Sequence, residues 1–223
     1  MRIAIPFLSI IFLLANQTVG DAQDIRKVTC RFLALLAESA PPKILNVGEN
    51  NLEVPCAVYT DVPSPEVGCY AFGNTISFIG ASDKKLIAKA TLPASGNAFI
   101  LLFLPGPKSE AGPSWRIYVI ENTAKSFPDG GAYVVNFYKQ DIRFAIGEHK
   151  IMLKPGGSHG LAMPIKLDNF NMAPVIFDFQ QGEDWKLAKE TSLRFLTGSR
   201  YMMFAYLDPA TNQPRITTCR DVN

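Results

Sequence analysis

Short apolar segments, separated by turn residues, recur along the whole chain. They are rich in Val, Ile, Phe and Tyr and are bounded by Gly, Pro, Asn and Asp. Such segments are typical of β-strands joined by turns, so the chain is predicted to be mostly β. The clearest candidates are 43–48, 75–80, 98–105, 115–121, 132–138, 142–147, 149–156, 175–180, 201–208 and 215–219.

One segment fits a helix as well as a strand. Residues 25–40 place Ile25, Val28, Phe32 and Leu35 near helical spacing, so periodicity alone allows an α-helix there. The choice between helix and strand depends on the internal repeat described next.

Two halves of the chain repeat each other. Residues 83–92 return as residues 184–193, and other blocks follow in the same order, as expected when one supersecondary unit is used twice. The matched blocks are 30–36 with 132–138, 44–54 with 142–153, 95–105 with 197–209, and Arg116-Ile117 with Arg215-Ile216. Because residues 132–138 favour a strand, their partner around Phe32 is predicted to be a strand too.

The repeat predicts an all-β fold of two tandem immunoglobulin-like β-sandwich units after a signal peptide. The first unit is assigned to residues 23–126 and the second to residues 127–223, with the boundary near 126–131.

The first residues have the features of a secretory signal peptide. Arg2 precedes an apolar run, and small residues suited to signal peptidase follow. Residues 1–22 are therefore predicted to be removed, with cleavage after Gly20 or after Ala22. The run is shorter than the ~20 apolar residues of a membrane span, so no transmembrane anchor is expected in the mature chain.

Export makes disulfides the favoured state of the four cysteines. In the predicted strand order Cys56 and Cys69 flank one loop, which favours a Cys56–Cys69 bond and leaves Cys30 with Cys219. Four cysteines allow three pairings in all, so this pairing is a preference among them. A zinc site is the weaker interpretation, because the spacings contain no C-x-x-C pair.

Composition and charge exclude some classes of partner. The chain has a hydrophobic fraction of 48%, as a folded globular protein does, and a net charge of only +2 without a basic block. A nucleic-acid partner is not expected.

Several motifs support a resemblance to a protein family. They are Arg31-Phe32-Leu33, Pro41-Pro42, the stretch 127–130, Asn136 and the turn 153–156. With these motifs the chain resembles exported bacterial proteins of unknown function built from tandem immunoglobulin-like units. The resemblance covers most of the mature chain and implies a fold and a location in the envelope or outside the cell, but no active site. The four cysteines are not part of the pattern.

One catalytic motif is present in form only. Residues 156–160 satisfy G-x-S-x-G, but a hydrolase needs Ser158 on a sharp turn between a strand and a helix. Pro155 and Pro164 flank the motif, so a turn between strands is expected instead. His149 and His159 have no second ligand at metal spacing, and His149 is expected to face solvent.

The acidic pairs and the two tryptophans are interpreted mainly as structural rather than functional residues. Glu183 and Asp184, like Asp61 and Glu66, lie in polar turns and are expected to be solvated. Trp115 is the candidate for stacking on a sugar, although its phase with Ile117 predicts packing. Trp185 is likewise predicted to lie in the core.

The expected function is that of a secreted or periplasmic, non-enzymatic binding or structural protein without a cofactor or a metal. Its partner is expected to be another envelope or extracellular protein, or a glycan. Exposed loops at 57–68 and 105–114 are the expected interface. The alternative is a carbohydrate-binding or glycan-processing accessory protein with a site between the two units.

Overall fold

The computed structural model describes residues 24–37, 40–106 and 115–222. The regular structure of these residues is almost entirely β-strand, as predicted. The strands are β1 (Ile25–Ala34), β2 (Ile44–Val47), β3 (Glu53–Cys56), β4 (Val67–Phe72), β5 (Thr75–Gly80), β6 (Leu86–Thr91), β7 (Ala98–Pro105), β8 (Trp115–Glu121), β9 (Ala132–Asn136), β10 (Ile142–Ile146), β11 (His149–Leu153), β12 (Ser158–Leu161), β13 (Met172–Gln181), β14 (Asp184–Arg194), β15 (Ser199–Leu207) and β16 (Pro214–Val222).

The strands pair in the same order twice. In the first repeat, β1–β8, the strands run β3-β2-β5-β6 and β4-β1-β7-β8, and one β4–β5 pair joins the two rows. In the second repeat, β9–β16, two separate sheets run β11-β10-β13-β14 and β12-β9-β15-β16. Within each repeat the first and seventh strands pair in parallel. Immunoglobulin constant domains have sheets ABED and CFG instead, so the immunoglobulin-like detail stays a prediction.

A β-bulge recurs at the same place in both repeats. Between β5 and β6 the register shifts so that Ile87 has no partner, and between β13 and β14 it shifts so that Ala188 has none. Ile87 and Ala188 occupy the same position in the repeated stretches 83–92 and 184–193. Bulges are local features that strand packing does not impose by itself, so their recurrence supports a true structural repeat.

Each repeat encloses its own apolar core. The first core packs β1, β4 and β7 against β2, β5 and β6, with Phe32, Phe78 and Phe103 in mutual ring contact. The second core packs β9, β12 and β15 against β10 and β13, where Phe144 stacks on Phe177.

A third apolar cluster joins the two repeats. On β7, Phe99, Leu101 and Phe103 face the first core, while the alternating residues Ile100 and Leu102 face the second repeat. Strand β15 is divided in the same way between the second core and this interface. Residues at the interface include Leu33, Ile100, Leu102, Ile120, Phe127, Val135, Met202 and Phe204. The continuous apolar runs at 98–105 and 201–206 therefore belong to strands that are buried on both faces.

A buried ionic cluster lies beside this interface. Asp221 on β16 has a fully buried side chain between Arg31 of β1 and Arg200 of β15. Arg200 Nε donates to Asp221 Oδ2 at 3.1 Å, and its Nη1 donates to the carbonyl of Phe127. Arg31 Nη1 lies 2.6 Å from Asp221 Oδ1, an ion pair without the angle of a directional hydrogen bond. The cluster links the two repeats by charge as well as by apolar packing.

The strand prediction around Phe32 is confirmed, since β1 covers residues 25–34. The predicted signal peptide, residues 1–22, lies outside the described residues. In the part of the chain that is described, no helix is long and apolar enough to cross a membrane.

Candidate binding surface

The loop 162–171, between β12 and β13, is held in place by carboxylates. Glu148, in the β10–β11 turn, accepts hydrogen bonds from the backbone N–H groups of Ile165 at 2.8 Å and Lys166 at 3.2 Å. These bonds, with that from Ile165 first, lower the pKa of Glu148 below its ordinary value. The carboxylate is thus charged at neutral pH and serves as a clamp for the loop.

A second carboxylate orders the other half of the loop. Asp168 Oδ1 accepts from the N–H groups of Phe170 and Met172, both at 2.8 Å. Arg194 Nε, on β14, donates to the carbonyl of Phe170 at 2.9 Å. Local bonds of this kind fix a turn without burying its side chains.

This ordered loop presents large apolar side chains to solvent. Ile165 is 88% exposed and Phe170 is 67% exposed, with Met163 also exposed nearby in the loop. We call Met163, Ile165 and Phe170 the apolar tip. Isolated exposed hydrophobic residues are common, but several on one rigid loop are typical of an interaction surface. No sequence pattern pointed to this loop, because its exposure depends on Glu148 and Asp168.

Of the two loops predicted as interfaces, the first is partly packed against the first repeat and the second is mostly outside the described residues. Residues 57–64 pack along β1: Tyr59 O accepts from Ala34 N at 2.7 Å, and Ser64 is buried while bonded to Phe32. Tyr59 and Val62 remain partly exposed there. Of the second predicted loop, residues 107–114 lie outside the described residues.

The predicted sugar-stacking candidate Trp115 lies at the start of β8. It is half-buried and packs against the first core together with Ile117 and Val119, as its phase predicted.

The core prediction for Trp185 is wrong. Its side chain lies on the outer face of β14, where the guanidinium of Arg143 sits 4.7 Å from its ring, and Leu187 beside it is 59% exposed. The bulge at Ala188 reverses the alternation of β14, so residues before it face the opposite way from the simple pattern.

The G-x-S-x-G motif has structural causes. Only Gly156 and Gly157 lie in the expected turn; Ser158 begins strand β12, where Tyr133 Oη donates to its hydroxyl at 3.0 Å. Burial raises the pKa of Tyr133 to about 12, so the phenol stays protonated. Gly156 has a φ of +75°, and a Cβ on Gly160 would lie 2.2 Å from the carbonyl oxygen of Ser126. The turn and the close packing thus account for these two glycines.

The other titratable candidates are dispersed. His159 is exposed, whereas His149, expected to face solvent, is half-buried with its Nε2 3.6 Å from Glu148 Oε1. Glu183, Asp184, Asp61 and Glu66 are exposed, as expected. Among the described residues, no group of three or more His, Cys, Asp or Glu side chains could hold a metal ion.

All four cysteines are buried thiols in the structure. Cys30, Cys56 and Cys69 lie in the first core, and the thiol of Cys69 contacts both others. Hydrogen bonding to Cys69 and burial raise the pKa of Cys56. Cys219 lies in the interface cluster instead. Burial raises its pKa to about 11, and the negative charge of Asp61 is the smaller second cause. The structure therefore places Cys69 beside both Cys56 and Cys30, while Cys219 lies in a different cluster from Cys30.

The chain matches no protein-family model and no curated protein.

Proposed function

We propose that this protein is an exported, non-enzymatic binding module that uses the apolar tip to contact another protein of the envelope or the extracellular space. The observation that supports this most is the exposure of Ile165 and Phe170 on a loop fixed by Glu148 and Asp168. A rigid loop loses little conformational entropy when it binds, so its apolar side chains can contribute most of their burial to affinity.

The double repeat supports the same proposal. Two cores are joined by the apolar cluster between them, and packed β-scaffolds commonly position loops for recognition. Export and a location in the periplasm or outside the cell are part of the proposal and rest on the features of residues 1–22.

The proposal predicts that single charges at the apolar tip abolish partner capture. Immobilised mature protein is incubated with envelope extract of the producing organism, and the retained proteins are quantified by mass spectrometry. The variants Ile165→Asp and Phe170→Asp are expected to retain about thirty-fold less of a protein that the wild type holds, as loss of a binding hot spot does.

The matched control is Leu52→Asp, because Leu52 is 51% exposed on the first repeat, away from the tip. It should retain the partner fully. Retention of the same proteins by all four samples would contradict the proposal. Capture of glycans alone, measured in parallel on a glycan panel, would favour the alternative of carbohydrate binding.

Export also predicts a disulfide. Cys69 contacts both Cys56 and Cys30, and we propose the Cys56–Cys69 bond because these two residues flank one loop, as the sequence predicts. Peptide mapping of the secreted protein without reduction should yield a linked Cys56–Cys69 peptide and a Cys219 that reacts with an alkylating reagent after denaturation. A linked Cys30–Cys219 peptide would show that the strand arrangement differs from the one described.

A further inference from the structure

A groove of about 590 Å³ opens where the two repeats meet, at the ends of several strands. One wall is formed by the residues that follow β1 and by β7 and β8. The other is formed by the end of β9, the β11–β12 turn and the end of β15. The volume lies within the ~300–1,000 Å³ range of small-molecule sites. The lining includes Leu35, Leu36, Leu104, Ile117, Tyr118, Phe137, Tyr138 and Tyr206.

The lining is mostly apolar, and its polar groups are largely engaged. The Asn136 side chain donates to the carbonyls of Gln140 and Leu153 and accepts from the N–H of Tyr138. Sugars need several polar partners at once, so this lining suits a hydrocarbon body better than a glycan.

One charged side chain, Arg116 of β8, lines the groove. Arg116 is exposed, and its Nε donates to the carbonyl of Pro105 at 3.3 Å. Within the described residues its two terminal nitrogens have no hydrogen bond and no ion pair. Arg215, which lies near the groove on β16, is already paired with Asp208. A guanidinium with free donors at the rim of an apolar groove is complementary to an anionic head group.

The geometry points to a binding site for an amphipathic carboxylate, a fatty acid whose hydrocarbon chain lies between the repeats and whose carboxylate pairs with Arg116. The apolar walls contribute affinity in proportion to the chain buried, and the arginine sets the orientation. This site is separate from the apolar tip, so the failure of one proposal leaves the other in place.

The test measures binding of hexadecanoate, dodecanoate and hexadecanol to the mature protein by titration calorimetry below the micelle concentration. Hexadecanoate is expected to bind one molecule per chain, more tightly than dodecanoate. Arg116→Ala is expected to weaken hexadecanoate about ten-fold and to leave hexadecanol unchanged, because only the carboxylate meets the guanidinium.

Two further variants complete the design. Arg116→Glu should weaken hexadecanoate more than Arg116→Ala does, since it places like charges together. Lys89→Ala, which removes one exposed positive charge on β6, should have no effect. Absence of saturable binding, a stoichiometry well above one, or an equal response of hexadecanoate and hexadecanol to Arg116→Ala would overturn the assignment.

Discussion

Replacing Asp221 by alanine is expected to lower the free energy of unfolding by about 3–5 kcal/mol, the usual cost of removing one partner from a buried ion pair. The side chains of Asp221, Arg200 and Arg31 are 0%, 6% and 12% exposed. Loss of the carboxylate leaves two guanidinium groups facing each other with little water to screen them. Urea unfolding followed by intrinsic fluorescence measures the change.

The matched control is Asp178→Ala on the outer face of the second repeat. Asp178 pairs with Arg143 at 2.7 Å, but the Arg143 side chain is 52% exposed. Exposed pairs contribute about 0–1 kcal/mol, so this variant should be nearly as stable as the wild type. Equal stability losses in the two variants would contradict the buried cluster that links the repeats.

Replacing Glu148 by glutamine is expected to release the loop that carries the apolar tip. The neutral amide accepts weaker hydrogen bonds from the N–H groups of Ile165 and Lys166 than the carboxylate does. Lys166 is exposed and follows this anchor directly, so trypsin should cleave after Lys166 about ten-fold faster in the variant, since proteolysis follows local opening. Mass spectrometry of the timed digest identifies the cut.

Glu183→Gln is the control, because it removes the same charge from the exposed β13–β14 turn. Its cleavage after Lys166 should match that of the wild type.

The pH dependence of the loop's stability has a definite sign. The pKa of Glu148 is lowered in the folded protein. The carboxylate therefore stabilises the loop fully above the ordinary pKa of 4.5, and this stabilisation is lost as the pH falls through the lowered pKa. Equal cleavage of all three proteins would show that Glu148 does not hold the loop.

Much of the fold follows from local pattern. Turn residues and β-branched runs predicted the strands, and the repeat settled the strand at Phe32 that helical spacing left open. The phase of Trp115 with Ile117 predicted its packing on the first core. The strand and packing patterns depend on near neighbours in the chain, and the repeat is visible when the two halves of the sequence are compared, so sequence alone could predict these features.

The rest depends on contacts between distant residues. The apolar run 98–105 predicts a buried strand but does not tell which face meets which partner, so the interface between the repeats could not be anticipated. A one-residue bulge at Ala188 was enough to invert the prediction for Trp185. The apolar tip depends on Glu148, which is separated from the loop by β11, a turn and β12, and no motif indicates that pairing.

Amide hydrogen exchange of the wild-type protein at neutral pH tests the central claim most directly, namely that the apolar tip stands on a preformed loop. The N–H groups of Ile165, Lys166, Phe170 and Met172 donate to carboxylates, so they are expected to exchange slowly, like neighbouring amides of β13. Exchange of these four amides at the rate of an unstructured peptide would contradict the account.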